Sequence, residues 1–166
     1  MVRVSFVVIL YCVCVLTPST AQNGSVAPSQ GTSRMSEVID GSVHPELIPD
    51  ATAYRLWFIA SSEFPNATPA EQMRQKAHLG RAGLSDTDIQ AAAGVLASFK
   101  VQYSQLIAHY NESDTKDLGA LIHNREGLVQ ATRDSLRVVL TPEGMAKIDA
   151  HVQREKRLMK VAKEGQ

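Results

Sequence analysis

Cysteine is nearly missing from this sequence. Cys12 and Cys14 are the only two in 166 residues, and both lie in the first apolar stretch. From residue 15 onward neither a disulfide nor a thiolate metal site can be built, so any fold there is held by packing. Aromatic residues are also few, at 5% with a single tryptophan at Trp57. Net charge is absent, because 17 Lys and Arg balance 17 Asp and Glu. That balance removes the electrostatic reason to expect a nucleic-acid partner. There is no glycine-rich phosphate loop, nucleophile motif or paired-carboxylate signature, so the sequence points away from an enzyme and implies no cofactor. The histidines are His44, His78, His109, His123 and His151, and no two stand three or four apart. Helical metal sites usually use that spacing or convergence between helices, so solvated or half-buried surface histidines are expected and no metal ligand is assigned.

The chain opens with Met1-Val2-Arg3, continues uncharged from Val4 to Leu16, and reaches Thr17-Pro18-Ser19-Thr20-Ala21. This is the grammar of a secretory signal peptide over 1–21, with small residues placing the cut after Ala21. Its apolar core of about 13 residues is shorter than the about 20 of a membrane span. No second such run follows, so stable membrane insertion after cleavage is not expected. The expected location is periplasmic or secreted, with both cysteines discarded.

Residues 22–49 are rich in Ser, Gly and Pro and read as a flexible linker. Order is expected over 50–166 as a single all-helical domain. Asp50 stands where it can cap a helix carrying Tyr54, Trp57 and Phe58, which would plug one end of a core. Thr68-Pro69-Ala70-Glu71 is a capping box with proline at the first helical position, starting a short helix to about Arg81. Two further starts, Leu84-Ser85-Asp86-Thr87-Asp88 and Leu140-Thr141-Pro142-Glu143, share one pattern. Ser85 and Thr141 cap, Pro142 fits the first helical position, and Leu84 with Ile89 and Leu140 with Met145 form hydrophobic staples.

Between these starts the apolar periodicity is clear. Ile89, Ala92, Leu96, Phe99, Tyr103, Leu106 and Tyr110 alternate in steps of three and four, predicting a helix from Ser85 to about Tyr110. A fresh cap is expected within 111–115. A second seam then runs through Leu118, Ile122, Arg125, Val129, Thr132, Leu136 and Val139, flanked by Leu121 and Leu128 and interrupted by Arg125 and Thr132. Gly119 and Gly127 within it mark close helix contact or local weakness. A third rod after Thr141 is expected to carry Met145, Ile148, Val152, Leu158 and Met159. With no alternating strand pattern, the expected fold is an all-α antiparallel helical hairpin or bundle of three long and two short helices.

Between positions 147 and 163, six cations (Lys147, Arg154, Lys156, Arg157, Lys160, Lys163) face only Asp149 and Glu155. Cations suit a helix C-terminus, and they also suit docking to an acidic partner. Arg154, Arg157 and Lys160, with the adaptable Met145 and Met159, are the candidate partner-binding residues. Asn23, Asn66 and Asn111 stand in Asn-x-Ser/Thr sequons, of which Asn66 and Asn111 also suit turns and caps.

The two helix starts framing a long hairpin in an exported chain resemble the periplasmic Spy/CpxP family of stress chaperones, over roughly residues 84–159. In that family the signature is Leu-Thr-x-x-Gln; here Asp88 and Gly144 occupy the glutamine positions. The histidine-rich segments of its metal-binding members have no counterpart. The resemblance implies a curved helical dimer that holds unfolded proteins on a concave, cationic and partly apolar face. The expected function is therefore that of an exported, non-catalytic helical protein binding other proteins, either unfolded clients or a homodimer partner. A metal-responsive periplasmic sensor or buffer and a purely structural secreted domain are the alternatives. Intact mass spectrometry of the exported protein is expected to show a chain beginning at Gln22; a species retaining residues 1–21 would contradict the cleavage reading.

Overall fold

Each long helix begins where a side chain satisfies backbone donors that the first turn leaves orphaned. In the computed structural model, which describes residues 38–162, Ser85 accepts from the Asp88 N–H and Thr141 from the Gly144 N–H. At Thr68 the box is reciprocal: the hydroxyl accepts from the Glu71 N–H while the Glu71 carboxylate accepts from the Thr68 N–H at 2.7 Å. The elements in order are β1 (Val38–Asp40), a 3-10 turn (Pro45–Leu47), α1 (Asp50–Ser61), α2 (Pro69–Arg81), α3 (Asp86–Glu112), α4 (Leu118–Val139), α5 (Pro142–Lys156) and β2 (Lys160–Ala162). The protein is thus an all-α helical bundle with a minor two-stranded sheet. The expected signal peptide, the linker as far as residue 37 and Lys163 lie outside the described residues.

The core forms around α1, which packs against all four other helices. Ala53, Tyr54, Trp57 and Phe58 are buried on it, and they meet Leu79 of α2, Leu96 and Phe99 of α3, Leu136 of α4 and Ile148 and Val152 of α5. Leu84, Ile89, Leu140 and Met145, the two staple pairs, are buried in the same cluster. Gly83, at φ +88°, turns the chain out of α2 in a conformation that side chains disfavour.

Several expectations are corrected. The linker reading fails from residue 38, since β1 pairs antiparallel with β2 in the register Val38 with Ala162 and Asp40 with Lys160. Three-residue strands are too short to show alternation, and the partner strand lies at the other end of the chain. Just after β1, the Gly41 N–H donates to the Met159 carbonyl at 2.8 Å. A Cβ at Gly41 would lie 1.8 Å from the Lys156 carbonyl oxygen, so only glycine fits this approach. Pro49, not Asp50, is the α1 N-cap; Asp50 instead accepts from Lys156 at 2.9 Å and Gln153 at 3.1 Å. The third rod ends at Lys156, so Leu158 and Met159 lie beyond it in the turn toward β2. The cap of α4 is Asp117, accepting from the Ala120 N–H at 2.9 Å, because α3 continues through Asn111 and Glu112. Thr132 does not interrupt its seam: it is buried, and its hydroxyl donates back to the Leu128 carbonyl.

The two similar helix starts bond to one another. Asp88 is buried, and its carboxylate accepts from the Ser85 hydroxyl at 2.8 Å, the Thr141 N–H at 2.9 Å and the Thr141 hydroxyl at 3.1 Å. In a capping box the third helical residue returns to its own N-cap N–H. Here Asp88 of α3 serves the N-cap N–H of α5 instead, and the corresponding residue of α5 is Gly144, which has no side chain to do so. A Cβ on Gly144 would lie 2.7 Å from the Asp88 carboxylate. The bond from the Thr141 N–H holds the Asp88 carboxyl below its usual pKa. Its contribution to stability is therefore full above the ordinary carboxyl range and is lost as pH falls through the lowered value.

Asp88→Ala is expected to cost about 2 kcal/mol in urea unfolding, by removing three hydrogen bonds to a charged acceptor, one of them from the α5 N-cap N–H. Gly144→Ala is expected to destabilise the natural protein, yet to stabilise the Asp88→Ala background by up to about 1 kcal/mol, the ordinary helical gain of alanine over glycine. Additive effects would overturn the shared-cap reading.

Candidate protein-binding surfaces on the long hairpin

Helices α3 and α4 are longer than the core they enclose. On α3 the buried positions are Asp88, Ile89, Ala92, Leu96 and Phe99; on α4 they are Leu121, Val129, Thr132 and Leu136. The stretch from Lys100 through Leu128 consequently projects as a two-helix arm in which Leu121 alone is buried among the described residues. Tyr103, Leu106, Ile107, Tyr110 and Ile122 stay half-buried, while Leu118 is exposed. The seam read from the sequence is real as periodicity, but beyond Phe99 it is covered by the other helix of the arm and only near its base by α1, through Ile59 beside Tyr103 and Ile107.

One face of the arm is a groove between the two helices. Near its base is a hollow of about 290 Å³, lined by Gly94, Val95, Ser98, Phe99 and Gln102 of α3 and by Leu128, Ala131 and Ser135 of α4. A second, of about 210 Å³, lies toward the tip between Leu106, His109 and Tyr110 of α3 and Ala120, Leu121 and Asn124 of α4. Small residues at 94, 98, 131 and 135 keep the walls low, and the lining mixes Val95, Phe99, Leu106 and Leu128 with Gln102, Thr132, Thr115 and Asp117. A Cβ at Gly94 would meet no atom within 4 Å, so space rather than a backbone requirement surrounds it. Gly127 is equally open, which makes it a point of local weakness and not of close helix contact. The opposite side of α3 carries a separate hollow of about 430 Å³, walled by Tyr103, Ser104, Ile107 and Ala108 together with Ile59 of α1. The two surfaces share no residue.

The tail residues singled out from the sequence do not gather into one surface. Met145 is buried in the core and has no face to offer a partner; its staple role with Leu140 places it there. Met159 is half-buried against the core. Lys160 sits on β2 paired with Asp40 at 3.1 Å, and the Lys156 ammonium is buried against Asp50. Arg154 and Arg157 are exposed at the end of α5. The sequence reading extended α5 to residue 159, which would have aligned these cations; the turn after Lys156 separates them.

Two clusters that join several helices left no sequence motif. Tyr54 donates to Asp149, and the Arg133 guanidinium lies 4.0 Å from the centre of the Tyr54 ring and 3.9 Å from Asp149. Burial, then the bond to Asp149, pushes the Tyr54 phenol well above its usual pKa. The second cluster joins Trp57 of α1, His78 of α2 and His151 of α5, with ring centres 6.4 to 6.5 Å apart. Spacing could not reveal it, because its members come from three helices. Arg81 approaches His78 Nδ1 at 2.6 Å. A guanidinium can only donate, so Nδ1 accepts and the neutral ring carries its proton on Nε2. His151 lies 3.9 Å from Glu155. Among the described residues no three His, Cys, Asp or Glu side chains converge so as to hold a metal ion, and no helix is long and apolar enough to cross a membrane.

No protein-family model, curated protein or solved structure matches this chain. Fold and surface together define an all-α bundle carrying a two-helix arm with a mixed polar and apolar groove on one side and an apolar hollow on the other.

Burial lowers the pKa of both His78 and His151; the Arg81 charge lowers His78 further, whereas Glu155 partly offsets the effect at His151. The folded protein therefore resists protons that the unfolded chain accepts near pH 6.5. Stability from this source is complete above that pH and declines as pH falls below it. The urea midpoint is expected to drop between pH 7.5 and about 5.5, and His78→Gln with His151→Gln should flatten that curve. An unchanged slope in the double variant would assign the pH response elsewhere.

Proposed function

We propose that this protein is an exported, non-catalytic helical protein that holds other proteins, as a stress chaperone does, and that the α3–α4 groove receives the client. The observation that carries this reading is the groove itself: a lining in which polar and apolar side chains alternate, low walls of small residues, and a course along the two longest of the described helices. An amphipathic or extended client segment can lay alternate apolar side chains into such a surface without demanding a particular sequence. Half-buried apolar surface along an arm also costs stability unless something covers it intermittently. The helix-start likeness to the Spy/CpxP stress chaperones supports the same reading, with the periplasm or the exterior as its setting. The tail cations Arg154 and Arg157 would then serve acidic stretches of a client as secondary contacts.

A metal-responsive role has less to rest on. Among the described residues no three metal-ligating side chains converge; His78 and His151 stand with ring centres 6.5 Å apart, and the Nδ1 of His78 is occupied by Arg81.

Purified protein added to a denaturing client is expected to suppress aggregation at several-fold molar excess. Gly94→Leu, which fills open groove, and Leu106→Glu, which charges its floor, should each weaken that suppression several-fold with helicity unchanged. Aggregation that proceeds unaltered with the natural protein would end the holding proposal; suppression untouched by both variants would move the client site off the groove.

A further inference from the structure

Along α3 one strip of side chains begins in the core and then leaves it. Phe58 of α1 meets Phe99 with ring centres 5.2 Å apart, and Phe99 stacks on Tyr103 at 5.5 Å. Helix α1 ends at Ser61, whereas α3 runs on to Glu112. Beyond Phe99 the strip therefore outlasts the helix that covers it, and the hollow of about 430 Å³ opens beside Ile59, near the end of α1. A space of that order suits one small ligand.

Lys100, Tyr103, Ser104, Ile107, Ala108 and Asn111 line the hollow along α3. Steps of three and four keep Lys100, Tyr103, Ile107 and Asn111 on one face, which makes a trough about 17 Å long and one helix face wide. Its polar side chains stand mainly at the ends, Lys100 at the base and Asn111 toward the tip. Between them Ile59, Tyr103, Ile107 and Ala108 offer carbon, with only the Tyr103 and Ser104 hydroxyls among them.

The charge at the base is uncompensated. Lys100 is half-buried, its ammonium lies 5.6 Å from the centre of the Phe64 ring, and among the described residues no carboxylate pairs with it. No acidic residue lines the hollow either. An ammonium held against an aromatic face instead of a carboxylate keeps its donors for an anion brought from outside. These features select an occupant with one anionic head and a single hydrocarbon chain. An extended peptide would lay backbone N–H and C=O groups against carbon, where they cost free energy unless bonded. A hydrocarbon chain carries none. A cationic amphiphile would meet Lys100 with like charge.

We propose that the hollow binds a fatty acid, its carboxylate on Lys100 and its chain along Tyr103, Ile107 and Ala108 toward Asn111. This is independent of the client reading, since groove and hollow share no residue. Because the trough is open on its outer side, it covers less of the chain than an enclosed cavity does, and binding is correspondingly weaker.

Decanoate, kept below its micellar range, is the probe. Titration calorimetry of the purified exported protein is expected to show one saturable site per chain, with butyrate bound roughly tenfold or more weakly because most of the hydrocarbon is gone. Decyltrimethylammonium, with the same chain and the opposite charge, should bind several-fold more weakly than decanoate. Lys100→Gln should weaken decanoate several-fold and erase that preference. Ile107→Asp should weaken it at least tenfold, and Ala108→Glu, at an exposed position that leaves the core untouched, should do the same without risk to folding. Decanoate binding should survive Gly94→Leu, which fills the groove and not the hollow. Absence of saturable decanoate binding overturns the proposal. So does binding indifferent to both Lys100→Gln and Ala108→Glu, and so does binding that Gly94→Leu abolishes, which would belong to the groove. A dimer broken by Ala108→Glu in place of decanoate binding would give the strip to a second copy and equally overturn it.

Discussion

The geometry of this protein depends on one buried carboxylate. Asp88 sits in the first turn of α3 and accepts three hydrogen bonds, two of them from Thr141 at the start of α5. It thereby fixes the beginnings of two helices at one point, and α4 must span the distance between the far end of α3 and that point. The junction tolerates a charge because it accepts three hydrogen bonds, one of them from the backbone N–H of the α5 N-cap, and because it lies at two helix N-termini whose dipoles favour an anion. Gly144 is the complement of Asp88: the absence of a side chain there is what admits the carboxylate.

From that junction the molecule divides into a base and an arm. At the base, α1 fills the centre with Tyr54, Trp57 and Phe58, and its polar edges are tied by Asp50 to Lys156 and by Tyr54 to Asp149. The pairing of β1 with β2 closes this part by joining the start and end of the described chain. In the arm, ordering 100–128 costs as much conformational entropy per residue as ordering the base, while it buries far less apolar area in return. Its stability rests on helix hydrogen bonds, on the Asp117 cap, and on the turn where Lys116 donates to the Tyr110 and Asn111 carbonyls. Regions so constituted open most readily, and they are where binding surfaces are commonly found.

What was legible in the sequence was local. Caps are written in three or four consecutive residues, and Thr68, Ser85 and Thr141 with Pro142 announced their helices for that reason. Periodicity gave the all-α class and the course of α3, since Ile89 to Phe99 face the core in the order read. Contacts between distant segments were illegible. Nothing near Asp88 says that its partner is Thr141, nothing near Val38 names Ala162, and His78, Trp57 and His151 meet only because α1, α2 and α5 share a corner. Met145 was misread as a surface residue because adaptability to varied surfaces suits a core equally well. The groove is illegible for the same reason as those distant contacts, because Gly94, Ser98, Ala131 and Ser135 are ordinary helix positions until two helices set them face to face.

The position of the small residues explains why the arm keeps its apolar faces apart. On α3, Gly94 and Ser98 open toward α4 and Ser104 and Ala108 open toward Ile59, on different sides of the same helix. Had large residues occupied both sides, the arm would expose a continuous apolar girdle and invite indiscriminate association. Had small residues occupied both, neither side would have enough area to hold anything. Tyr103 and Ile107 supply bulk on one side, Phe99 and Leu106 on the other, with polar Gln102, Gln105 and His109 among them. A helix patterned in this way can carry two surfaces of different character with the backbone between them rigid, so that occupancy of one need not distort the other.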